Sequence, residues 1–154
     1  MLHKFSVILI LNTILFATPP KIPIKTLNDI KQATVFANSL EKTVPNLTDK
    51  RSAKKIIYQH FRQGFSDPIA NRLTAYLWDD IEGLPKDHDI SLYPPDPSTI
   101  MVLHYQPSKV VITYKTPQAL IDTWNFESYT IETLEFINNR WIITHSKTSA
   151  KPTL

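Results

Sequence analysis

What most constrains this chain is a change of hydrophobic period part-way along it. Up to Gly83 the apolar residues recur every three or four positions; beyond residue 100 they alternate, and a proline-rich stretch separates the two regimes. A spacing of three to four lines one face of a helix and a spacing of two lines one face of a strand, so no single element satisfies both. The chain is therefore expected to be α+β, with N-terminal helices packed on one face of a curved antiparallel β-sheet.

The helical part divides at its punctuation. Thr26-Leu27-Asn28-Asp29 reads as a capping box, and Leu27, Ile30, Ala33, Ala37 and Leu40 follow at helical spacing until Pro45. Thr48 or Asp49 caps a second helix whose stripe is Ala53, Ile56, Ile57, His60 and Phe61, with Gly64 as a left-handed stop. Ser66-Asp67-Pro68 restarts a third helix with Ser as N-cap, and Ile69, Leu73, Tyr76, Leu77 and Ile81 face inward until Gly83.

Residues 84–98 form a polar loop rich in proline. Residues 100–105 and 110–115 flank Gln106-Pro107-Ser108 as a hairpin, and a long strand over 124–137 slips its alternation near Ser128-Tyr129, as a bulge does. Asn138-Asn139 suits a type I′ turn because Asn tolerates positive φ, and 140–147 returns as the last strand.

The N-terminus carries Lys4 and then a 13-residue, mainly apolar run over 5–17, stopped by Thr18-Pro19-Pro20. A membrane span needs about 20 apolar residues, so the run reads as a secretory signal peptide cut after Ala17. Leu15 is larger than an A-x-A site prefers, which keeps an uncleaved N-terminal anchor as the alternative. Residues 18–25 hold three prolines and two lysines and form a linker. One domain over 26–148 and a frayed tail over 149–154 complete the chain. Removing 17 residues, Lys4 the one charge among them, leaves 137 residues and lowers the net charge from +3 to +2. Such near-neutrality argues against nucleic-acid binding. An exported domain with no cysteine must be stable by packing alone, which suits a bacterial cell envelope. Two glycines leave no phosphate-cradling loop or nucleophile elbow, and no cofactor motif is present.

Tyr129-Thr-Ile-Glu-Thr-Leu-Glu-Phe136, a two-residue turn and Arg140-Trp-Ile-Ile-Thr-His145 together resemble the closing hairpin of nuclear transport factor 2-like (cystatin-like) domains. The resemblance extends over roughly residues 49–147, with Asn138-Asn139 where the family turn usually carries glycine. It implies a cone with a pocket between sheet and helices, in a family holding both enzymes and binders.

Pairing Ile137 with Arg140 across the turn sets Phe136 opposite Trp141, Leu134 opposite Ile143 and Glu132 opposite His145 on one face. Glu132 and His145 are thus the candidate acid–base pair, or else a cross-strand ion pair at the sheet edge. His60, Tyr76, Trp124, Phe136 and Trp141 are pocket-lining candidates; as core residues they would need no ligand. His60 and His104 fall on apolar faces, but no metal-binding spacing accompanies them and no metal site is assigned. Asp87-His88-Asp89 with Asp79, Asp80 and Glu82 is an acidic segment without calcium-loop spacing, and reads as a solvated loop. Lys50, Arg51, Lys54, Lys55 and Arg62 form a basic face opposite the second helix's stripe, suited to an anionic surface or an acidic partner, or simply to water.

The expected function is an exported, non-catalytic binding or interaction module of the cell envelope, with a small ligand or an envelope protein as partner. A homodimer through the sheet is compatible with the fold. The alternatives are a small-molecule isomerase, dehydratase or hydrolase using the Glu–His pair, and an anchored architectural subunit.

Overall fold

Among the described residues three α-helices precede a four-stranded antiparallel sheet of order β1-β2-β3-β4, so the change of period does mark an α+β fold. The computed structural model describes residues 21–45, 50–81, 92–117 and 128–152, excluding the side chains of 50–52 and 78–81. The run 5–17, the caps Thr48 and Asp49, the stop Gly83, the acidic loop around His88, and Trp124 all lie outside the described residues, as does the Trp78 side chain.

Helix α1 (Ile24–Ser39) begins two residues before Thr26, and no side chain caps it. Pro23 stands ahead of it with φ −57°, already close to helical, and its carbonyl accepts the Leu27 N–H at 3.0 Å. A proline at this point needs no donor partner, so the first turn closes on Pro23 and the expected capping box falls inside the helix. Ile30, Ala37 and Leu40 are buried as the spacing requires, with Leu40 delivered by a 3₁₀ turn, Leu40–Thr43.

Helix α2 (Lys50–Phe61) buries Ala53, Ile57 and Phe61. Gly64 follows, but not as a left-handed stop: among the described residues the positive-φ positions outside glycine are Asn138 and Asn139, and Gly64 itself lies outside that region. Its reason is space. A Cβ there would stand 2.7 Å from the Ala37 Cβ and 2.8 Å from its Cα, so only glycine lets the α2–α3 link lie against α1. The link then joins the free edge of the last strand, where the Ile143 N–H donates to Gly64 O and the Ser66 N–H donates to Ile143 O. Ser66 O accepts from Ala70 N–H as an N-cap carbonyl does, whereas its hydroxyl has no partner among the described residues. Helix α3 (Asp67–Ile81) buries Ile69, Ala70, Leu73 and Thr74.

The sheet comprises β1 (Met101–Gln106), β2 (Lys109–Lys115), β3 (Tyr129–Ile137) and β4 (Arg140–Ser149). Asn138 and Asn139 have φ 49° and 61°, both positive as a type I′ turn demands. The ladder runs unbroken through Lys115↔Tyr129, so the bulge expected near Ser128-Tyr129 is not there. Two others exist: register shifts between Val102 and His104 in β1, and opposite Thr133/Leu134 in β4, where Thr144 is the extra residue. Val110, Ile112, Tyr114, Leu134, Trp141 and Ile143 face the helices and close the core with Ile30, Ile57, Phe61 and Phe65. Among the described residues no helix is long and apolar enough to cross a membrane.

Candidate functional site

The two bulges decide which polar residues reach the interior. An extra residue in a strand inverts the side-chain alternation beyond it. In β4 the pairing follows the expected register from Ile137↔Arg140 to Leu134↔Ile143; past Thr144 it becomes Thr133↔His145 and Glu132↔Ser146. Ser146, itself exposed, therefore comes to the Glu132 side, and His145 stands exposed on the other face, its Nδ1 3.2 Å from the Thr144 hydroxyl. The expected Glu132–His145 pair does not form. In β1 the bulge at Leu103 has the same effect on His104, which is exposed while Tyr105 turns inward opposite Val110.

Glu132 keeps its inward position and is 1% exposed. Its Oε1 accepts from Asn38 Nδ2 at 3.2 Å and from the Tyr114 hydroxyl at 3.0 Å. Asn38 is held in turn by its own Nδ2 bond to the Thr34 carbonyl at 3.0 Å, one helical turn back. Glu132 Oε2 has no hydrogen-bond partner among the described residues. Burial pushes this carboxyl up to about 7, against the two donors, which favour the charged form. Burial, and next the Glu132 charge, also hold the Tyr114 phenol far above its ordinary range, so Tyr114 remains a donor at any physiological pH.

Glu132 forms part of the wall of a cavity of about 200 Å³ with Phe65, Ile69, Arg72, Leu73, Leu92 and Ser146. The wall is apolar apart from Glu132, Arg72 and Ser146. Leu92 is held over it by its N–H, which donates to Glu41, while Lys42 lies 5.4 Å above the neighbouring Tyr93 ring. Sequence patterning missed Asn38, Arg72, Leu92, Tyr114 and Ser146 as site residues. The one signal was that Thr34 and Asn38, polar and four apart, flank the apolar stripe of α1.

The pocket-lining candidates scatter. Phe136 and Trp141, with ring centroids 5.3 Å apart, line a separate, open groove of about 610 Å³ between α1 and the β3–β4 turn. His60 is a structural residue: its Nε2 donates to the Leu40 carbonyl at 2.8 Å, tying α2 to the 3₁₀ turn. Tyr76 is half-buried on α3 and does not line the Glu132 cavity. On the basic face Lys54 and Lys55 are exposed, and nothing is described of the Lys50 and Arg51 side chains. Arg62 is engaged elsewhere, with Nε 3.0 Å from Asp67 and its guanidinium donating to the Phe65 carbonyl at 2.9 Å. Asp67 also accepts from the Tyr58 hydroxyl, a bond that raises the phenol's affinity for its proton. Among the described residues no three His, Asp or Glu side chains are placed to hold a metal ion. No family model, curated protein or solved structure matches this chain.

Proposed function

We propose that the protein is an exported, non-catalytic binding module that holds a small, mainly apolar ligand in the Glu132 cavity. The observation that carries this is Glu132, in the wall of an otherwise largely apolar space, with its Oε2 buried and without a partner among the described residues. An orphaned buried acceptor is costly in the free protein, and a ligand that donates to it removes that cost. The ligand is therefore a compact apolar body with one polar group that donates to the carboxylate or accepts from the protonated carboxyl, as a hydroxyl does both. An apolar cavity of about 150 Å³ admits benzene, so about 200 Å³ suits a ring with one small substituent. Export is supported by the basic start and apolar run before residue 18, and contact with anionic envelope material by exposed Lys54 and Lys55. The nuclear transport factor 2-like reading rests on the sequence of the closing hairpin, residues 129–145.

Titrating the ¹⁵N-labelled protein with benzyl alcohol and with toluene tests the proposal. Benzyl alcohol should give saturable shifts at the amides of Ile69, Leu92 and Ser146 and bind more tightly than toluene. Absence of saturable shifts with both would exclude the cavity as a ligand site. A second reading, an isomerase- or dehydratase-type enzyme, draws on the Glu132 carboxyl near 7, which suits proton transfer at neutral pH. It would use Glu132 without His145, which stands on the opposite face.

A further inference from the structure

We propose that the end of the molecule formed by the start of α1 and the β3–β4 turn rests on an anionic membrane surface. Five large hydrophobic side chains are exposed among the described residues, and three belong to this region: Ile24 (79%), Phe136 (46%) and Ile137 (41%). Lys25 and Asp29, in the first turns of α1, line one open groove with Phe136, Asn139 and Arg140, so the helix start and the turn share one end of the protein. The surrounding charges are Lys21, Lys25 and Arg140 against Asp29, a net of +2.

Aliphatic and aromatic side chains set among lysine and arginine match the boundary between acyl chains and anionic headgroups. Near such a leaflet each basic residue strengthens partition by roughly fivefold. Where the run 5–17 is retained, as in the uncleaved-anchor alternative, the chain itself supplies the orientation. The apolar run ends at residue 17, and the six residues 18–23 that separate it from α1 reach at most about 20 Å. Whenever residues 5–17 engage a bilayer, the start of α1 is held beside it. Lys54 and Lys55 lie on α2, apart from this groove, and are not needed for the docking.

The chain has no cysteine, so one introduced at a time can be labelled selectively. Ile137→Cys and Lys147→Cys, each carrying an environment-sensitive nitrobenzoxadiazole label in the full chain, place probes at the turn and roughly 20 Å or more along β4 from it. Residues 5–17 contribute equally to both. With phosphatidylcholine vesicles containing phosphatidylglycerol, the label at 137 should shift to the blue and be quenched by doxyl-labelled lipid, while that at 147 stays aqueous. Lys25→Glu should weaken the response at 137 by fivefold or more, and phosphatidylcholine alone should do the same. Lys54→Glu/Lys55→Glu should leave it unchanged. A label at 137 that stays in water overturns the proposal and leaves the exposed patch to a protein partner. Equal immersion of both labels, or a response lost through Lys54 and Lys55 and not through Lys25, overturns it equally.

Discussion

Replacing Glu132 by glutamine should remove a large part of the pH dependence of this protein's stability between pH 5 and 8. In the fold, burial raises the carboxyl from 4.5 to about 7, so the folded state holds its proton over a range in which the unfolded chain has released it. Stability then falls as pH rises, because the native state binds the extra proton. The contribution is complete below pH 4.5, declines between 4.5 and 7, and is gone above 7. The full difference corresponds to about 3 kcal/mol, of which about 2 to 3 kcal/mol lies between pH 5 and 8. Glutamine preserves the oxygen that accepts from Asn38 and Tyr114, and its amide takes the place of Oε2 without ever ionising. Urea unfolding of both proteins at several pH values isolates the effect, since the other titrating groups cancel in the difference. Tyr114 does not enter this window, because its phenol is raised. Wild type should weaken relative to Glu132→Gln by about 2 to 3 kcal/mol from pH 5 to pH 8. Parallel pH profiles would refute the reasoning: Glu132 would then be ionised in the fold at low pH, and burial would not govern the site.

Gly64→Ala should destabilise the protein by about 1 to 3 kcal/mol in the same assay, because the new Cβ meets α1 backbone at 2.8 Å. Ala37→Gly in the same chain should recover part of that loss by clearing the 2.7 Å contact between methyls. Asn139→Ala should cost about 1 to 2 kcal/mol and Asn139→Gly much less, since φ is 61° there; thermal unfolding of both separates backbone strain from lost side-chain contacts. His145→Ala should alter stability by less than about 0.5 kcal/mol and leave benzyl alcohol binding unchanged, because the ring is exposed on the face away from Glu132.

The hairpin that carries the site was legible up to one residue. Asn138-Asn139 determines the turn, and the turn determines the register as far as Leu134↔Ile143, because a two-residue loop admits one pairing. Beyond that, Thr144 breaks the pattern. Nothing in Ile143-Thr144-His145 as a string distinguishes a straight strand from a bulged one, and the choice reverses which residue faces Glu132. His104 failed for the same reason at Leu103. Gly64 was legible as a position that needs glycine, while the cause, contact with Ala37 from another helix, was not.

By itself the sequence determined what local chemistry determines: helices before strands, the stripes that bury Ile30, Ile57, Phe61 and Leu73, the Asn-Asn turn, and the inward place of Glu132. These follow from spacing and from backbone preferences within a few residues. The tertiary structure alone decided the surroundings of that carboxyl. Asn38 comes from α1, Tyr114 from β2, Arg72 from α3, Leu92 from the segment after α3, and Ser146 from beyond a bulge. No separation along the chain encodes such a meeting, because it depends on how helices lie across a sheet. The raised affinity of Glu132 for its proton is likewise a property of those neighbours and of the water they exclude.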